Sequence, residues 1–95
     1  MISATLVDVH TYEVVVDGKE GSEESTHQVT LQPDFYMKLC GGTITQEWVI
    51  IQSFRFLLER EPNTAILKCF DLQDIGRYFP EFEEELTGRL GAGTR

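Results

Sequence analysis

Residues 45–61, "TQEWVIIQSFRFLLERE", read as an amphipathic helix with more apolar surface than one neighbour can cover. At about 100° per residue, Ile50, Ile51, Phe54, Leu57 and Leu58 gather on one broad face. Val49 and Phe56, seven positions apart, form a second strip nearly opposite. Gln52, Arg55 and Glu59 separate the two on one flank, with Trp48 beside them. A helix that is apolar on two faces is normally covered from two sides. The chain must therefore supply a layer on each side of this helix, or borrow one from a second copy of itself.

The first layer is available upstream. Residues 4–16, "ATLVDVHTYEVVV", have the β-branched and aromatic composition of a strand, long enough to predict a bulge or break near His10-Thr11. Asp17-Gly18 signals a turn, and the acidic, polar stretch 17–25 reads as a long loop. Residues 26–32, "THQVTLQ", alternate, with His27, Val29 and Leu31 on one face and Thr26, Gln28 and Thr30 on the other. The two segments predict an antiparallel hairpin.

Pro33 suits the first turn of a short helix, "DFYMKLC", which Gly41-Gly42 can end. Thr43 and Gln46 have capping-box spacing for the main helix, with Thr45 as the alternative cap. Pro62 and Asn63 end it. Residues 64–70 can be strand or helix; helix is favoured, capped by Asn63, because Ile66, Leu67 and Phe70 then share a face. Asp71 can cap a further helix carrying Leu72, Ile75 and Phe79, interrupted at Pro80. Phe82 and Leu86 extend the apolar stripe while Glu81, Glu83, Glu84 and Glu85 face water. The expected architecture is one α+β domain over 1–86: an N-terminal antiparallel β-hairpin packed on a long central helix, short C-terminal helices, and a flexible tail at 87–95.

Charge narrows the function. Sixteen acids against eight bases leave a net charge of −8. Nucleic-acid affinity comes largely from Lys and Arg displacing counterions, so this balance opposes binding to polyphosphate and equally to an anionic membrane. It suits solubility, and it admits a cationic partner. The longest apolar run, "WVII", is far short of the roughly twenty residues of a membrane span. Met1 is followed by neither a basic region nor a long apolar run, so no leader is expected. That predicts a cytoplasmic, reducing setting in which Cys40 and Cys69 are free thiols.

No residue set predicts catalysis, a cofactor or a metal. His10, His27, Cys40 and Cys69 do not have the paired spacing of zinc sites. Cys40 lies at a helix C-terminus, the wrong end of the dipole to stabilise a thiolate. Ser53 is mid-helix without an evident base. Asp71 with Asp74, and Glu83 to Glu85, read as capping or solvated acids. Gly41-Gly42 lacks the lysine and spacing of a phosphate loop.

Residues 26–61, strand, short helix, Gly/Thr turn and longer helix, resemble a ribbon-helix-helix module. The resemblance implies an obligate dimer whose paired strands enter the DNA major groove. Thr26, Gln28 and Thr30 would then face the bases, and the amides near Thr43–Gln46 a phosphate. The strand itself has no Lys or Arg, Glu20, Glu23 and Glu24 precede it, and pairing with residues 4–16 would occupy its edge.

The leading expectation is a small acidic accessory or regulatory protein that acts by protein–protein contact as a homodimer. A DNA-binding regulator or antitoxin-like protein is the alternative. The expected interaction surface is Trp48, Val49 and Phe56 with Tyr78, Phe79 and Phe82 nearby. Glu81, Glu83 and Glu84 would face a basic partner.

Overall fold

A chain that alternates between β-branched runs and amphipathic helices folds here into one mixed sheet with helices on one side. The computed structural model describes residues 2–17 and 23–90. Its elements are β1 (Ile2–Leu6), β2 (Thr11–Val16), β3 (Ser25–Thr30), α1 (Pro33–Cys40), α2 (Gln46–Leu58), β4 (Cys69–Asp71), α3 (Ile75–Tyr78) and α4 (Phe82–Leu90). Single 3-10 turns occupy Asn63–Ala65 and Leu72–Asp74. The strands lie in the order β1-β2-β3-β4. The first two pairings are antiparallel and the last, β3 with β4, is parallel.

The segment predicted as one long strand over 4–16, with a bulge or break near His10-Thr11, is a hairpin of its own whose interruption, residues 7–10, ends where that break was expected. It reverses at Asp8, whose Oδ1 accepts from the Val9 amide at 2.8 Å while the Val7 and Asp8 amides donate to Thr11 O. Asp is a strong turn former because its side chain bonds nearby backbone amides. One such residue outweighs the β-propensity of the valines on either side. The expected pairing of the two segments survives as β2 with β3, running from Thr11↔Thr30 to Val16↔Ser25. The sheet alternates as predicted. Tyr12, Val14, Val16, His27 and Val29 are buried under the helices, and Glu13, Thr26 and Gln28 face out. The middle of the acidic loop at 17–25 lies outside the described residues.

Pro33 is at the start of α1, and Gly41 closes it at φ 62°, a left-handed angle that glycine adopts without steric cost. Thr45, the alternative cap, is the one used: its side chain accepts from the Trp48 amide at 3.2 Å. The Thr43 hydroxyl donates instead to Cys40 O. Helix α2 is 13 residues long, shorter than the predicted 45–61, and the Arg60 and Glu61 amides fold back onto Leu57 O.

Both apolar faces of α2 are covered from within the chain. Phe54 packs toward the sheet, with His27 and Phe70 rings at 5.4 and 6.1 Å. Phe56 packs on α4, its ring 5.2 Å from that of Phe82 in an edge arrangement. Val49, Phe54, Phe56 and Phe82 are all 0% exposed. The second layer is α4, helped by α1 through Phe35 and Phe82.

Two further expectations change. Residues 64–70 are not a helix. After one 3-10 turn the chain extends into β4, where the Gln28 amide donates to Lys68 O at 2.7 Å. The edge of β3 needs a hydrogen-bonding partner, and that long-range pairing overrides a local helical period. Asn63 does not cap: its side chain crosses to Glu23 O and Ser25 Oγ. At the other end α4 runs to Leu90, which is buried, so 87–90 belong to the helix rather than to the tail. Residues 91–95 lie outside the described residues.

Candidate functional site

The surface expected from sequence divides into three parts. Val49, Phe56 and Phe82 are core. Their strip is apolar because α4 covers it, so none of them is available to a partner. Trp48 remains 42% exposed on one side of α2, and Tyr78 remains 67% exposed on α3, with Phe79 half-buried against Phe56. The acids also divide. Glu81 accepts from Arg60 Nε at 3.2 Å, Glu83 pairs with Lys38 at 3.1 Å, and Glu84 is exposed with no ion pair among the described residues.

Arg60 adds polar contacts to the apolar packing of α2 on α4. Its guanidinium lies 3.7 Å from the centre of the Phe56 ring and reaches both Glu81 and Glu85, the latter at 3.0 Å. Its Nη1 donates to Phe56 O, a carbonyl of the last helical turn that also accepts from the Glu59 amide. Beside it Arg89 reaches Glu59 at 2.5 Å and holds that carboxyl below the usual carboxylate range. These acids complete an internal network.

The Trp48 side is different. Tyr12, opposite Leu6 in the sheet, donates its hydroxyl to Gln46 Oε1 at 2.8 Å, so the start of α2 sits over the end of β1. Leu58 and Ile2 line one cleft at the other end. Helix α2 therefore runs alongside β1 and presents Trp48, Ile51, Arg55 and Leu58 next to that strand. Arg55 sits 5.7 Å from the Trp48 ring. Strand β1 is the first in the sheet, so its outer edge has no partner within the described residues.

Strand β3 has both edges occupied, by β2 and by β4. Thr26, Gln28 and Thr30 project from its outer face, where Glu13 lies opposite Gln28. A ribbon of two identical strands needs a free edge, and among the described residues the sheet's free edges belong to β1 and β4.

One polar cluster lies inside. His27 is buried, and its Nδ1 is 2.7 Å from Leu67 O. A carbonyl only accepts, so Nδ1 carries the proton and Nε2, in the neutral ring, accepts from the Ser25 hydroxyl at 2.8 Å. The Ser25 oxygen in turn accepts from Asn63 Nδ2 at 3.0 Å. Burial, more than any neighbour, pushes the His27 pKa down, with Lys68 adding to it and the Leu67 bond opposing it. The pair has the hydrogen bond of a nucleophile and its base, but both side chains are buried, Ser25 at 4% and His27 at 1% exposure. Its chemistry is structural: it ties β3 to the segment that leads into β4.

His10 is in the β1–β2 turn, Cys40 is buried at the end of α1, and Cys69 is exposed on β4. Among the described residues no three His, Cys, Asp or Glu side chains converge on a point that could hold a metal ion. No helix among them is long and apolar enough to cross a membrane. Comparison with family models, with curated proteins and with solved structures finds no match.

Proposed function

We infer that the protein acts by protein–protein contact, as a small acidic accessory or regulatory subunit of the cytoplasm, and that it assembles with a second copy through β1. The observation that carries this is the composition of β1. In a chain that is 25% charged, the five residues "ISATL" on an open edge include no charge and no proline. Exposed edges are normally blunted by charges, proline, bulges or shortness, because unpaired backbone groups recruit other strands. The opposite edge, β4, follows that rule: it has three residues, one of them Asp71. Strand β1 does not, which suits a strand that is covered in use.

A second copy is the occupant that the charge favours. Two chains of −8 repel, and repulsion is least where the contact surface carries no acid. A two-fold axis through Ala4 sets Ser3 of one copy opposite Thr5 of the other. It also lays the Trp48 half of one α2 against the Arg55–Leu58 half of its mate, a self-complementary arrangement. Two free thiols suit a reducing compartment. The ribbon-helix-helix alternative draws no support from β3, both of whose edges are paired within the chain, nor from the acidic balance.

Trp48 is the sole tryptophan, so its emission reports on this face. The expected result is a blue shift as concentration rises. It should be absent in Ser3→Lys/Thr5→Lys, where lysines would meet across the axis while Lys at 5 still faces Glu13 within the chain. Emission that is the same at every concentration and in both proteins would overturn the proposal.

A further inference from the structure

At the opposite edge of the sheet from β1, a crevice opens between the end of α2, the segment leading into β4, and α3. Leu57, Ile66, Phe70 and Ile75 form its apolar lining, and Leu67 and Tyr78 stand at its mouth. Leu67 is 52% exposed and Tyr78 67%. These two side chains extend the apolar lining of the hollow to the surface, and apolar surface continuous with a groove suits an interaction site.

We propose that this crevice is a docking site for a linear segment of a partner protein, one that presents a bulky apolar anchor next to a lysine or arginine. The proposal rests on the reading that the protein works by protein–protein contact, and adds the partner's chemistry. Size argues for a peptide anchor. The hollow holds about 240 Å³, below the roughly 300–1,000 Å³ of sites that enclose a drug-sized small molecule. It has room for an apolar side chain or two.

Charge argues for the basic neighbour. The two charged residues that line the crevice are Glu61 and Asp74, both acids. Among the described residues Glu61 makes no ion pair, and Asp74 pairs only with the exposed Arg77, at 3.7 Å. The base next to Glu61, Arg60, is turned away to Glu81 and Glu85 on α4. Lys68, the base next to Leu67, is not among the lining residues. A cation arriving beside the anchor therefore meets two carboxylates and no competing base on the lining. Pairing at the rim gives orientation and selectivity, and burial of the anchor gives the affinity.

The test is to pan a random peptide library displayed on phage against the immobilised 95-residue chain. Enriched sequences are then synthesised with fluorescein and titrated by anisotropy. The expected result is a consensus with a bulky apolar residue within a position or two of Lys or Arg. Leu67→Asp and Tyr78→Ala, both at exposed positions, should each weaken binding about tenfold or more. Glu61→Gln/Asp74→Asn should weaken it less and flatten its salt dependence. Ser3→Lys/Thr5→Lys should bind unchanged, since β1 lies at the far edge, so failure of self-association leaves this result readable. A library with no enrichment over a blank surface would overturn the proposal. So would enriched peptides that are acidic, or that bind Leu67→Asp and Tyr78→Ala as well as the parent.

Discussion

Phe56→Ala separates the packing described here from the surface expected by pattern. Phe56 is fully buried, ringed by Phe82 at 5.2 Å, Phe79 at 5.8 Å and the Arg60 guanidinium at 3.7 Å. Truncating a buried Phe to Ala costs about 3–5 kcal/mol, transfer and cavity together. Two aromatic pairs and a cation–π contact go with it, each worth about 0.5–1.5 kcal/mol beyond area burial, so the upper half of that range is expected. Domains of this size are stable by about 5–15 kcal/mol, so the loss is a large fraction of the total. With a urea slope of about 1–2 kcal/mol/M for a small domain, the midpoint should fall by about 2–5 M. Measuring it in the Ser3→Lys/Thr5→Lys background removes any contribution from association. Phe56→Leu, milder, should lose about 1–2 kcal/mol and remain folded enough for a full transition. Trp48→Ala should cost no more than about 1 kcal/mol in the same background, as at other partly exposed sites. If Phe56→Ala leaves the midpoint where it was but lowers the mass in solution, Phe56 is an interface residue and the packing of α4 on α2 is wrong.

Other outcomes follow from single contacts. His27 is neutral in the fold with its pKa held below 6.5. As pH drops through that value the unfolded chain gains a proton that the fold resists. Stability should be full above about pH 6.5 and fall below it by at most about 1.4 kcal/mol per pH unit, levelling off beneath the folded pKa. Stability by urea that is flat from neutral pH to the edge of carboxylate titration, with a His27 ring signal titrating normally, would refute this. Asn63→Ala removes the donor shared by Ser25 Oγ and Glu23 O and should cost about 1–3 kcal/mol by thermal or urea unfolding. Gly41→Ala puts a Cβ at φ 62° and should cost about 1 kcal/mol although nothing lies within 4 Å of the added atom; an unchanged melting temperature would contradict that.

The sequence told most where one strong local rule acted alone. The alternation of His27, Val29 and Leu31, the Pro33 and Gly41 limits of α1, and the two apolar faces of α2 are all as the spacing predicts. It told least where a short segment's structure depends on a distant one. Phe70 extends because β3 has an edge to fill, and Asn63 turns inward because Ser25 and Glu23 wait there. The candidate surface suffered from the same cause. Val49 and Phe56 had to be covered, and pattern cannot say whether α4 or a second molecule does so. The crevice was illegible because it forms from three separated segments. Its one local sign was Leu67, apolar next to a lysine and given no role beyond a helix face.

The central claim is that β1 joins two copies of the chain. It is tested most directly by light scattering of the intact protein across a wide range of concentration, with Ser3→Lys/Thr5→Lys alongside. Pairing through β1 gives a mass of twice the 10.8 kDa chain for the parent and of one chain for the variant, with the same circular dichroism. A parent that stays at one chain mass at every concentration, or a variant that dimerises as well as the parent, would contradict it.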